Sequence, residues 1–218
     1  MMQSPFENQN RSMLTWRIIG SSAIVIAIGL IVVAGSPPPP PPPTPIQASG
    51  SSPRISKAPI LVEEYGDFQY PACGMFARST VKQIQDKYVR NGAVKFVFHH
   101  FAFIGEESMC ASEAAECANE QGKFREYYDT LFNHQAGENL GAFSDDHLAN
   151  FAQQLELKVD QFNTCLKSDR YRDKVMADRN EGQARGVMQV PTLFINGTKS
   201  VGAISMAQFE AIIAPYLK

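Results

Sequence analysis

Four cysteines, Cys73, Cys110, Cys117 and Cys165, carry most of the reactive chemistry this sequence can offer. Cys73 has the most suggestive position. An apolar run from Ile60 to Val62 reads as a strand, and residues 76–89 read as a helix. The stretch between, Asp67-Phe68-Gln69-Tyr70-Pro71-Ala72-Cys73-Gly74-Met75-Phe76, therefore sits at a strand-to-helix turn. Thiols become nucleophilic at such places, because unpaired backbone N–H groups and the helix dipole stabilise the thiolate. Cys110 lies about 10 Å, two helical turns, before Cys117, too far for the two to bond within an intact helix. Four cysteines are too few for a disulfide scaffold, and no Cys-x-x-Cys pair is present to suggest zinc. Histidines at 99, 100, 134 and 147 add no metal-ligand spacing. His99 and His100 alternate across a strand and read as structural. Asp145, Asp146 and His147 follow Ser144 and read as a helix start.

The elements that must position these residues begin near Lys57. Residues 59–65 form a strand with acids near its end, and residues 94–101, rich in β-branched and aromatic side chains, form a second. A helix over about 72–89 joins them, so the two strands should be parallel. A long helical region follows. Its segments are 109–121 ending at Gly122, 124–132 with one aromatic face, a helix capped by Ser144, another capped by Asp160, and 171–185 ending at Gly186. Residues 187–195 then read as a strand entered through Pro191, Asn196-Gly197 as a hairpin turn, and Ser205 to Gln208 as a capping box opening the last helix.

Residues 1–56 have a different character. Residues 18–35 carry no charge and span about 27 Å as a helix, close to the hydrocarbon thickness of a bilayer. Arg11 and Arg17 precede the run and the next basic residue is Arg54, which puts residues 1–17 in the cytoplasm and the rest outside. Val32-Val33-Ala34 would suit signal-peptide cleavage. The run is longer than a signal core, however, so an uncleaved anchor is the reading taken. Pro37 to Pro43 and Pro45 extend as a polyproline spacer of about 28 Å within a linker over residues 36–56. The formal net charge is -2 with no basic cluster, which argues against a nucleic-acid surface.

Strand, helix, strand, helical insertion, hairpin and helix make an α/β chain with the order of a thioredoxin fold. The turn at 67–76 resembles the active-site turn of the DsbA-like branch of the thioredoxin superfamily, which runs roughly Asp-Phe/Tyr-Gln-Cys-Pro-x-Cys-Gly-x-Phe. Residues 186–197 resemble that family's cis-proline loop and hairpin. Ala114 to Ala118, Gln121 to Phe124 and Phe162 to Leu166 resemble its insert helices. The resemblance implies one domain over 57–218, a thioredoxin fold with an α-helical insertion at about 104–186. It makes Cys73 the inner cysteine of a disulfide-exchange site, Glu64 the buried acid that serves it, and Pro191 the cis-proline facing it. It also implies a structural disulfide between Cys117 and Cys165, leaving Cys73 and Cys110 either bridged or free.

At the outer, attacking position stands Tyr70, whose phenol does not enter thiol exchange. The implied activity is thiol–disulfide exchange on extracytoplasmic protein thiols or peptides by a membrane-anchored chain, impaired or limited to one thiol. A membrane redox partner is a further candidate, and no cofactor or metal is implied. The alternative is a non-catalytic peptide-binding or chaperone-like module using the groove beside Pro191.

Overall fold

The computed structural model describes residues 60–217. The expected cytoplasmic tail (1–17), anchor (18–35) and linker (36–56) lie outside the described residues. Within them no helix is long and apolar enough to cross a membrane.

Strands β1 (Ile60–Gly66) and β2 (Val94–His100) pair in parallel, with Ile60 opposite Val94 and Gly66 opposite His100. The parallel arrangement follows from the helical crossover, α1, over residues 71–89. It is α-helical at Pro71–Phe76 and Lys82–Ile84 and widens into π-type turns at Ala77–Val81 and Gln85–Val89. Cys73, Phe76, Ala77, Val81, Ile84 and Tyr88 recur at three- and four-residue spacing and are all buried, while Arg78, Lys82, Gln83, Asp86 and Lys87 face water. Strand β3 (Thr192–Ile195) runs antiparallel to β1, and β4 (Thr198–Val201) antiparallel to β3, giving the order β2-β1-β3-β4. Asn196 and Gly197 have φ of 47° and 83°, the left-handed pair that a two-residue hairpin turn of this hand requires. The strand expected over 187–195 is shorter than its apolar run. Gly186, at φ 74°, has just turned the chain, and Pro191 has no N–H to give to a ladder, so residues 187–191 form a loop.

Five helices form the insert between β2 and β3: α2 (Glu106–Asn119), α3 (Phe124–Asn133), α4 (Asp145–Gln154), α5 (Val159–Lys167) and α6 (Arg172–Ala184). Ala111, Ala114, Ala115 and Ala118 make α2 slim enough to be buried on most of its circumference. Two expected caps differ in detail. Ser144 precedes α4 but its side chain makes no capping bond, and α5 starts after Lys158, so Asp160 lies in its first turn instead of capping it. Asp145, Asp146 and Asp160 still place negative charge where the helix dipole favours it. A disulfide joins Cys117 of α2 to Cys165 of α5. After β4, α7 (Met206–Ile213) opens on a reciprocal capping box, with Gln208 N donating to Ser205 Oγ at 3.3 Å and Ser205 N to Gln208 Oε1 at 2.8 Å.

An aromatic cluster fastens the insert to the sheet: Phe68–Phe132 ring centroids lie 4.9 Å apart, Tyr128–Phe132 4.8 Å and Phe98–Tyr128 5.2 Å. Each such side chain, fully buried, contributes about 1.5–3 kcal/mol of hydrophobic stabilisation. Beside it runs a buried ionic chain. His100 Nε2 lies 2.9 Å from Glu116 Oε1, Lys174 Nζ 3.0 Å from the same oxygen, and Lys174 Nζ 3.2 Å from Asp178 Oδ2. Burial works against Glu116's charge, yet His100 and Lys174 hold its pKa at about 2. His99 stacks on Tyr65 with ring centroids 4.6 Å apart, and burial lowers its pKa. Both histidines thus serve the packing.

Candidate active site

The turn that follows β1 is held by one carboxylate. Asp67 Oδ1 accepts from Gln69 N at 2.8 Å and from Ser108 Oγ at 2.7 Å, and Oδ2 accepts from Phe103 N at 2.9 Å and Ile104 N at 3.3 Å. Asp67 therefore knots the turn to the loop leaving β2 and to the start of α2. Gln69 extends the knot, with Nε2 donating to Ser108 Oγ at 2.8 Å and Oε1 accepting from Asn139 N at 2.6 Å. From the end of α3, Gln135 Nε2 donates to the carbonyls of Phe68 at 2.7 Å and Tyr70 at 3.1 Å. Gly74 makes that approach possible: a Cβ there would sit 1.9 Å from Gln135 Oε1. Gln135 and Asn139 are not legible as site residues from the sequence, since nothing in their local sequence marks them.

Tyr70 is the N-cap residue of α1, extended at φ -74° and ψ 121°, and Pro71 follows at the first helical position, where a missing N–H costs nothing. The Tyr70 ring is partly exposed and lies against Phe103, centroids 5.8 Å apart. Cys73 comes three residues later and has no exposed surface. Burial raises its thiol pKa well above the ordinary value and the carboxylate charge of Glu64 adds to it; a backbone hydrogen bond with Asp67 lowers it by more than the Asp67 charge raises it. The helix start would favour a thiolate, but burial prevails, and Cys73 is a thiol at neutral pH.

Glu64 is fully buried and not a solvated strand-end carboxylate. Burial lifts its pKa to about 8, against the Tyr128 hydroxyl, which donates to Oε2 at 3.2 Å, and the charge of Arg125. Its Oε1 has no hydrogen-bond partner. A carboxyl in this state is mostly protonated at pH 7.

Pro191 follows a cis peptide bond from Val190. Thr192 pairs with Tyr65, so Pro191 lies at the end of β1 from which the chain enters the turn. Gly66 pairs with His100, so the Phe101–Phe103 segment leaves β2 at this same end. Exposed Met75, Phe103 and Met188, the last 90% exposed, belong to the three segments converging here. Cys73 and Cys110 are both free, so the bridge left open between them is not formed. Cys110 is partly buried, and its thiol is pushed up to about 11 by burial and by Glu106, Glu113 and Asp145. Among the described residues no group of three or more His, Cys, Asp or Glu is placed to hold a metal ion.

The family model described as Thioredoxin matches residues 55–214. The chain belongs to the thioredoxin family. Among its relatives within or near that family is the probable disulfide bond formation protein D of Bacillus anthracis. The two are 28% identical over 186 residues, covering 83% of this chain and 86% of the relative. The crystal structure of oxidised BdbD from Bacillus subtilis superposes with a TM-score of 0.69 at 23% identity, covering 75% of this chain and 90% of that one. Reduced DsbA from Mycobacterium tuberculosis superposes with a TM-score of 0.66 at 26% identity, covering 80% and 92%. The DsbA-like thioredoxin fold with its helical insertion is therefore shared by this thioredoxin-family chain.

Proposed function

We propose that this chain is a membrane-tethered, extracytoplasmic thiol–disulfide oxidoreductase relative that engages protein thiols or peptides and in which exchange is impaired. The observation that carries the reading is the turn itself, with Tyr70 at the helix N-cap above a buried Cys73 and a protonated Glu64. In a two-thiol cycle a substrate thiolate attacks the outer sulfur of the site's disulfide and expels the inner one as thiolate. A second substrate thiolate then displaces the outer sulfur from the mixed disulfide; reduction of a substrate disulfide runs the same steps backwards. Residue 70 offers a phenol, which forms no mixed disulfide. Cys73, Glu64 and cis-Pro191 supply the rest of the site. The names of the relatives support the reaction class, and the uncharged run at 18–35 supports the tether and the compartment.

A second reading, a non-catalytic peptide-holding module, is favoured by the protonated state of Cys73 and by exposed Phe103, Met75 and Met188 around the same end of the sheet. An extended peptide would pair with the backbone beside Pro191. One assay separates the two. Wild type and Tyr70→Cys are tested for oxidation of a reduced model protein with glutathione disulfide supplied as the oxidant, with alkylation of Cys73 followed by peptide mapping. Exchange appearing only in Tyr70→Cys supports the impaired oxidoreductase. Turnover by wild type would overturn the impairment, and an inert Tyr70→Cys that still binds unfolded peptide would leave the holding module as the function.

A further inference from the structure

On α2, Glu106, Cys110 and Glu113 recur at intervals of four and three residues and share one face of the helix. One cation serves both carboxylates. Arg172, at the start of α6, forks to the exposed Glu106, with Nη1 2.8 Å from Oε1 and Nη2 3.1 Å from Oε2. The same Nη1 lies 3.7 Å from Oε2 of Glu113, too far for a hydrogen bond. Glu113 is buried, and its Oε1 has no hydrogen-bond partner. Burial lifts its pKa to about 7 against the charge of Arg172, and Asp169, from the turn between α5 and α6, and Glu106 add to the rise. Cys110 lies within reach of Glu106, Glu113 and Arg172, and of Asp145 at the start of α4. Among the described residues, none of the charged groups on α3 or α5, which also pack on α2, acts on Glu113 or Cys110.

The two carboxylates compete for Arg172 on unequal terms. An exposed ion pair is worth little, because water solvates its partners almost as well apart. A buried carboxylate short of partners is costly, and a charge-assisted donor relieves that cost. While Glu113 is protonated its pull on the guanidinium is weak, and the fork to Glu106 holds. Once Glu113 is ionised, an inward movement of about 1 Å brings Nη1 within hydrogen-bonding distance of Oε2. We propose that Arg172 exchanges between Glu106 and Glu113 as Glu113 gains and loses its proton, forming a pH-operated latch between α2 and α6. The latch sits on the helical turn that supports the candidate site. Glu107 accepts from Gly141 N at 2.7 Å and Phe143 N at 2.9 Å, and Ser108 Oγ donates to Asp67 Oδ1 at 2.7 Å. Opening the fork to Glu106 releases from α6 the residue that precedes these two. The latch makes no use of residue 70 or Cys73, so it stands or falls separately from the proposed thiol chemistry.

An NMR titration of the full-length protein, isotopically labelled at its glutamate carboxyl carbons and arginine side-chain nitrogens, tests this directly. Peaks are assigned from Glu113→Gln, Glu106→Gln and Arg172→Lys. The Glu113 carboxyl and the Arg172 Nε resonance should move together with one midpoint near pH 7, and the Arg172 movement should vanish in Glu113→Gln. Glu106→Gln changes an exposed position and should preserve the fold, as checked by circular dichroism. It leaves Arg172 to Glu113 alone, so the shared midpoint should fall by about one pH unit, a tenfold change in the acid constant. Loss of an exposed charge acting through water would lower it by less than about half a unit, and a fall that small overturns the proposal. So does an Arg172 resonance that stays still while Glu113 titrates, or a Glu113 that does not titrate near neutrality. Should Glu113→Gln fail to fold, the joint movement in wild type and its displacement in Glu106→Gln decide the matter.

Discussion

Replacing Glu64 with glutamine tests the electrostatics of the turn most sharply. In the unfolded chain this carboxyl titrates near its ordinary value of 4.5, and in the folded chain near 8. Between those pH values the folded protein holds a proton that the unfolded chain has released. The unfolded state therefore binds fewer protons, and stability falls as pH rises, by about 1.4 kcal/mol per pH unit from this group. Glu64 is fully buried, so solvent screening does not discount the figure. Its cost is absent below the unfolded value, reaches about 3 kcal/mol at pH 7 and levels off near 5 kcal/mol above the folded value. Glutamine removes the titration while its oxygen can still accept from Tyr128. The amide N–H groups left beside that oxygen carry a pH-independent penalty of about 1–3 kcal/mol. The diagnostic is thus the slope and not the offset: Glu64→Gln should gain on wild type by about 4 kcal/mol between pH 5 and pH 8. The assay is urea unfolding across that range followed by far-ultraviolet circular dichroism, because the single tryptophan, Trp16, lies outside residues 60–217. Parallel stability curves for the two proteins would refute the reasoning. Glu64 would then be ionised in the folded state, and its charge would hold the Cys73 thiol up already at neutral pH.

Three further outcomes follow from the packing. Asp67→Ala leaves the donors at Gln69, Ser108, Phe103 and Ile104 without their acceptor and should cost at least about 3 kcal/mol in urea unfolding, with Asp67→Asn recovering part of it. Gly182→Ala would set a Cβ 2.8 Å from the buried Tyr65 ring and 2.9 Å from Phe101, an overpacking that should cost about 1–3 kcal/mol and lower the melting temperature. Reduction of the Cys117–Cys165 bridge opens a loop with a sequence separation of 48 and should lower stability by about 4 kcal/mol, read by comparing unfolding with and without reductant.

Much of this architecture was legible because it rests on local patterns. The β-branched run at Val94 to Phe98, the Asn196-Gly197 turn and the Ser205–Gln208 box each specify their own conformation within a few residues. Where tertiary context decides, local reading fell short. Residues 187–191 look apolar enough for a strand, but Pro191 and Gly186 remove them from the ladder. Ser144 and Asp160 are good capping types, yet their helices begin without using those side chains as caps. At the site, a cysteine in the first helical turn suggested an activated thiol. Its protonation state is set first by complete burial and then by Glu64 and Asp67, which come from a strand and a turn. The partnership of Arg125, Tyr128 and Glu64 likewise joins α3 to β1 across 61 and more positions of sequence, and no spacing rule reaches that far.

The two free thiols also determine how the protein meets its chemical surroundings. Cys73 offers no surface to a peroxide, a small disulfide or another chain. Cys110 offers some, but with its thiol near 11 only about one molecule in ten thousand carries the thiolate at pH 7, and thiolate is the species that reacts. Covalent dimers and adducts with low-molecular-weight thiols should accordingly form slowly, even where oxidant is plentiful.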